Sequence, residues 1–134
     1  MTKPVWSGVV TMAPDRYTAF ARLASPWLEE FRCCPLDIRE DSGREERAVY
    51  IVVNSEGLAC YCGQTRPARP QCRGVAAARL HDHRTTSRSK HDEWARYWIL
   101  PLLPDTPDEF VDRLERTVQA RLGLPRRNRR WRKV

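Results

Sequence analysis

Residues 48–63 read AVYIVVNSEGLACYCG, and this stretch decides the fold. AVYIVV (48–53) is β-branched and aromatic, which suits a pleated, buried strand. NSEG (54–57) supplies turn chemistry, with an Asn whose side chain can bond its own backbone and a Gly free to take positive φ. LACYC (58–62) is a second short apolar run. The three pieces predict a β-hairpin, with Tyr50 and Tyr61 in neighbouring strands and able to share one side of the sheet.

Downstream, residues 64–74 (QTRPARPQCRG) hold two prolines, a glycine and three arginines, and read as a surface loop. VAAARLHDHR (75–84) has good helix formers. ARYWIL (95–100) reads as a third strand, ended by Pro101 and Pro104. Thr106, Pro107 and Glu109 then predict an N-cap, a first helical residue and the return half of a capping box. The helix runs through EFVDRLERTVQARL and stops at Gly123, with Pro125 beyond.

Upstream, Asp15 is a candidate N-cap for a helix carrying Tyr17, Phe20 and Ala24. Ser25 and Pro26 read as the start of a second helix bearing Trp27, Leu28 and Phe31. DIREDSGREER (37–47) is a charged loop that separates this helical part from the strands. The elements read from the residues are thus a helical N-terminal extension, a β-hairpin, a third strand and a later helix. The division falls as 1–47, serving packing or dimerisation, and 48–134.

The composition, 41% hydrophobic and 31% charged with a mean hydropathy of -0.65, excludes a membrane protein and wholesale disorder. No run approaches the roughly 18 to 20 apolar residues of a membrane span, and the start lacks a signal-peptide pattern. A cytoplasmic protein is expected. Five cysteines in spacings that match no common structural zinc pattern read as free thiols. That holds for Cys60, Cys62 and Cys72 taken with His81 or His91.

The net charge of +7 is unevenly placed. Residues 1–63 hold 7 basic and 9 acidic side chains, whereas residues 64–134 hold 17 basic and 8 acidic. A strongly basic second half points to a polyanion, because neutralising phosphates releases condensed counterions. The candidate backbone contacts are Arg66, Arg69, Arg73, Lys90, Arg126, Arg127, Arg129 and Arg130, with Trp131 available to stack on a base.

Two helical features carry chemistry. Arg79 and His83, four residues apart, project from one helix face, where a guanidinium can hold phosphate oxygens and an imidazole can move a proton. On spacing alone they read as a solvated basic face. Glu115 falls within the apolar stripe of its helix, beside Val111, Val118 and Leu122, rather than opposite it. A carboxylate so placed suits a hard divalent cation such as Mg²⁺, or an ion pair at the rim of the core.

Taken in order, Ala48-Val49-Tyr50, ten residues, Tyr61-Cys62-Gly63, the R-x-x-x-H of Arg79 and His83, Glu115, and the P-x-x-N of Pro125 and Asn128 resemble the GIY-YIG nuclease superfamily. The resemblance covers roughly residues 48–131 and implies an α/β fold, a small antiparallel sheet of about three strands flanked by helices. Ala48 replaces the first Gly of the hallmark, Val49 and Cys62 replace its isoleucines, and the 64–74 loop lengthens the route to Arg79. The resemblance implies an endonuclease dependent on Mg²⁺ or Mn²⁺, with Glu115 as metal ligand and Tyr50, Tyr61, Arg79, His83 and Asn128 completing the site. It implies DNA as substrate, and an N-terminal extension resembles the layout of GIY-YIG restriction endonucleases, in restriction, phage defence or mobile-element processing. A nucleic-acid-binding module that depends on a partner, and an RNA nuclease, are the alternatives; a homodimer is compatible with each.

Overall fold

The computed structural model describes residues 10–40, 42–43, 45–65 and 93–124. They form a mixed α/β fold: a four-stranded antiparallel sheet and two helices. Helix α1 is Pro14–Leu23, strand β1 is Leu36–Asp37, β2 is Arg47–Val53, β3 is Ala59–Thr65, β4 is Arg96–Leu102, and helix α2 is Asp108–Arg121. The strand order is β1-β4-β2-β3, so the hairpin lies at one side with β3 at the edge.

Strand β2 is the centre of the sheet and is buried at all seven positions. That explains its unbroken apolar run, since a strand covered on both faces has no reason to alternate with polar residues. Val49, Ile51 and Val53 face a core shared with Trp98, Leu100 and Leu102 of β4 and with both helices. Helix α1 contributes Tyr17, Phe20 and Ala21 to it, and α2 contributes Val111, Leu114 and Val118. Ala48, Tyr50 and Val52 face the other way, with Cys60, Tyr61, Trp94, Tyr97 and Ile99.

The turn forms as its chemistry predicts. Asn54 Oδ1 accepts from the Glu56 and Leu58 N–H groups at 2.9 and 3.0 Å, and Gly57 takes a φ of +85°. The second strand runs further than expected, through Gln64 and Thr65, which were read as loop.

Three other expectations are corrected. The sheet has a fourth strand, because Leu36 and Asp37, within the N-terminal part, pair with Tyr97 and Arg96. No second helix starts at Ser25: the backbone there is drawn to the end of β4, where Glu29 N–H bonds the Pro101 carbonyl at 2.8 Å and Leu103 N–H bonds the Trp27 carbonyl at 2.9 Å. Strand β4 also passes through Pro101 to Leu102. The Pro101 carbonyl points to Glu29, and in an antiparallel strand a residue's nitrogen points the same way as its carbonyl. The ladder to β2 therefore loses no hydrogen bond.

The helix caps also differ in detail. Helix α1 starts at Pro14 with Ala13 as N-cap, so Asp15 lies in the first turn. In α2 the N-cap is Pro107, and the Thr106 hydroxyl donates to the Leu103 carbonyl at 2.5 Å, so the capping box with Glu109 does not form. Arg47 fastens this end instead, its guanidinium bonding the Thr106 carbonyl and the Asp108 carboxylate. Gly123 ends the helix with a φ of +70°. No helix among the described residues is long and apolar enough to cross a membrane.

Tyr17 joins the N-terminal helix to the sheet. Its buried hydroxyl donates to the Ile99 carbonyl at 2.9 Å and accepts from the Arg32 N–H at 3.0 Å. Burial raises its pKa, so it stays a neutral donor. Tyr17→Phe is expected to cost about 1–3 kcal/mol of stability by stranding these backbone groups; equilibrium denaturation with urea checks it.

Candidate active site on the hairpin and helix α2

A β-bulge sets the geometry of the two tyrosines. Val53 pairs with Ala59, but Val52 pairs with Tyr61, so Cys60 is an extra residue in β3. Strict alternation from Ala59 would turn Tyr61 toward the helices. The bulge sends it to the opposite face, beside Tyr50, and the rings stack with centroids 6.1 Å apart at 25°. Trp94 packs against Tyr61 from another side, at 4.8 Å.

Gly63 pairs with Tyr50 across the ladder. A methyl group there would lie 2.7 Å from the Tyr50 hydroxyl oxygen, 2.9 Å from its Cζ and 3.2 Å from Tyr61 Cε2. The glycine is therefore required for the space it leaves rather than for its backbone freedom. Tyr50 is 1% exposed and Tyr61 7%, so the pair is buried and Tyr61 is the nearer of the two to solvent.

Glu115 stands on α2, against the helix-bearing face of β3. Gln64 Nε2 donates to its Oε1 at 2.6 Å, and Gln119 Nε2 donates to its Oε2 at 2.9 Å. The Gln64 amide also reaches Asp112 Oδ1 at 2.7 Å, and the Gln119 amide the Cys62 carbonyl at 3.1 Å. Burial raises the Glu115 pKa; hydrogen bonding from Gln64 offsets part of that, and the neighbouring Asp112 charge adds to it. These partners explain a carboxylate in an apolar stripe: each of its oxygens accepts from an amide.

The structure thus brings Tyr50 of β2 and Tyr61 of β3 together on one face of the sheet and places Glu115 beside the other face. Arg79, His83 and Asn128 lie outside the described residues. So do Arg66, Arg69, Arg73, Lys90, Arg126, Arg127, Arg129, Arg130 and Trp131. Gln64, Asp112 and Gln119 were not singled out from the sequence. The signal for Gln119 was its place four residues after Glu115, where one side chain meets the other on a helix.

Among the described residues no group of three or more His, Cys, Asp or Glu could hold a metal ion. Cys60 and Cys62 are buried thiols, and the bulge directs them to opposite faces, so they cannot act as a ligand pair. Burial pushes both thiols up in pKa, which keeps them protonated. Cys33 and Cys34 are free and exposed.

No family model, curated protein or solved structure matches the chain.

Two outcomes are expected of this geometry. Gly63→Ala should lower stability by about 1–3 kcal/mol through overpacking and alter the near-ultraviolet circular dichroism of the tyrosine pair. Because folding raises the Glu115 pKa, the protonated form favours the fold: its contribution is full below the unfolded pKa and is lost as pH rises through the raised one. The stability of the native chain relative to Glu115→Gln should therefore fall from acidic to neutral buffer, as measured by denaturant titration.

Proposed function

We propose that this chain is a GIY-YIG-type endonuclease that hydrolyses DNA phosphodiester bonds with the help of Mg²⁺ or Mn²⁺. The observation that carries the reading is the tyrosine pair. Two phenols that the sequence separates by ten residues stack on one sheet face, over a glycine whose side-chain space the Tyr50 hydroxyl occupies. A glycine and two tyrosines in this relation are the residues the hallmark requires.

The donor chemistry at Glu115 fits a hard divalent cation. Mg²⁺ commonly takes one or two protein carboxylates and leaves its other positions to water and phosphate. Glu115 would hold it, with the Asp112 carboxylate bonded to the same Gln64 amide. When bound, such an ion stabilises developing charge on the phosphate and lowers the pKa of a coordinated water.

The remaining work falls to the chain's own side chains. Tyr61, the less buried phenol, holds the attacking water or a phosphate oxygen by hydrogen bonding. Tyr50 supports it from within the sheet. A free phenol, with a pKa of about 10, is a poor base at neutral pH, whereas an imidazole near 6.5 is poised to take the proton. His83 is therefore the better base, and Arg79 steadies the charge that grows on the phosphate oxygens. Asn128 supports the site by hydrogen bonding, and the basic residues of the second half follow the nucleic-acid backbone.

The test is cleavage of supercoiled and linear DNA by the purified chain with Mg²⁺, with Mn²⁺ and with EDTA. Cutting should be abolished by EDTA and fall by about a hundredfold or more in Glu115→Gln, Tyr61→Phe and Arg79→Ala. DNA binding by Glu115→Gln should persist in a gel-shift assay. Unchanged cutting by Glu115→Gln or Arg79→Ala would overturn the site. Binding without cutting by the native chain would turn the reading to a partner-dependent module, and cutting of RNA alone to a ribonuclease.

A further inference from the structure

Both oxygens of Glu115 are held, each by a different amide, and the two amides come from different elements. Gln64 stands on β3, next to Gly63, and Gln119 stands one turn further along α2. The Gln119 amide, itself 1% exposed, also bonds the Cys62 carbonyl, so it bridges Glu115 to the β3 backbone. The orientation of the Gln64 amide is fixed by chemistry. Turned over, it would set its oxygen against the Asp112 and Glu115 carboxylates, neither of which can donate when ionised.

A glutamate on a helix has three side-chain torsions to fix, and an unsupported one samples several rotamers. Two opposed donors select one of them. A carboxylate offers about four lone-pair directions, so accepting one amide on each oxygen leaves capacity for a cation.

Resting on the nuclease reading above, we infer that Gln64 and Gln119 are positioning residues, a two-amide clamp that holds Glu115 in its ligating geometry. The clamp also sets the carboxylate in register with the tyrosines. Tyr61, Cys62, Gly63 and Gln64 are consecutive in β3: Tyr61 belongs to the stacked pair, Gly63 makes room for Tyr50, and the Cys62 carbonyl and Gln64 amide hold the Glu115 arrangement. Sliding of α2 along β3 would break the hydrogen bonds from Gln64 to Glu115 and from Gln119 to the Cys62 carbonyl. The amides touch neither cation nor substrate and act through Glu115. Loss of such outer partners lowers metal affinity or activity by about 10–100-fold.

The test is Mn²⁺ binding to the full chain, read by electron paramagnetic resonance, for the native protein, Gln64→Met, Gln64→Ala and Gln119→Met. Gln64→Met keeps the side-chain length and removes both polar atoms, and Gln64→Ala is a truncation at a half-buried edge position. The Mn²⁺ dissociation constant should rise about 10–100-fold in each, with the thermal midpoint of Gln64→Met near native and DNA binding in EDTA unchanged. Raising Mn²⁺ should restore cutting by Gln64→Met toward the native rate, but not cutting by Glu115→Gln. Gln64 variants that bind Mn²⁺ as tightly as the native chain overturn the clamp and leave the nuclease reading standing, as does a loss of rate that no Mn²⁺ concentration restores. A native chain that neither binds Mn²⁺ nor cuts DNA overturns both.

Discussion

The extra residue at Cys60 is the constraint on which the site depends. Without it, β3 would keep strict alternation from Ala59 and present Tyr61 to the helices, away from Tyr50. With it, Cys60 and Tyr61 share a face, Cys62 returns to the helix side, and Gly63 comes opposite Tyr50. The Cys60 thiol donates to the Val52 carbonyl at 3.5 Å, a weak bond within the bulge itself. One register shift therefore creates the tyrosine stack, separates the two cysteines and turns Gln64 toward Glu115.

Strand β3 stands at the end of the strand order among the described residues. A central strand would be walled in by neighbours on both sides, as β2 is. The tyrosines occupy one face of the sheet and the Glu115 carboxylate adjoins the other. Helix α2 is held at two points: Arg47 bonds the Thr106 carbonyl and Asp108 at its start, and Gln119 bonds the Cys62 carbonyl near its end.

The sequence made part of this legible and hid the rest for physical reasons. The hairpin, its Asn-led turn and α2 follow from local chemistry: β-branched runs, an Asn and a Gly, a 3.6-residue stripe. The bulge is not local, since nothing in LACYC distinguishes a strand that alternates from one with an extra residue until its partner fixes the register. The expected helix after Ser25 failed because its backbone satisfies the end of β4, a contact some 70 residues away in sequence. Thr106 lost its capping role to the Leu103 carbonyl for a similar reason. Glu115 stood out as a charge in an apolar stripe, but the amides that justify it became visible only when β3 and α2 were placed side by side.

The central claim of the proposed nuclease is that a phosphate would be held between the Tyr61 hydroxyl and an ion on Glu115. Crystals of the full chain with a short DNA duplex and Mn²⁺, measured for anomalous scattering, test it directly. The account predicts an anomalous peak at the Glu115 carboxylate, with a backbone phosphate between it and Tyr61. A peak elsewhere, or DNA seated away from the β3 edge, would contradict it.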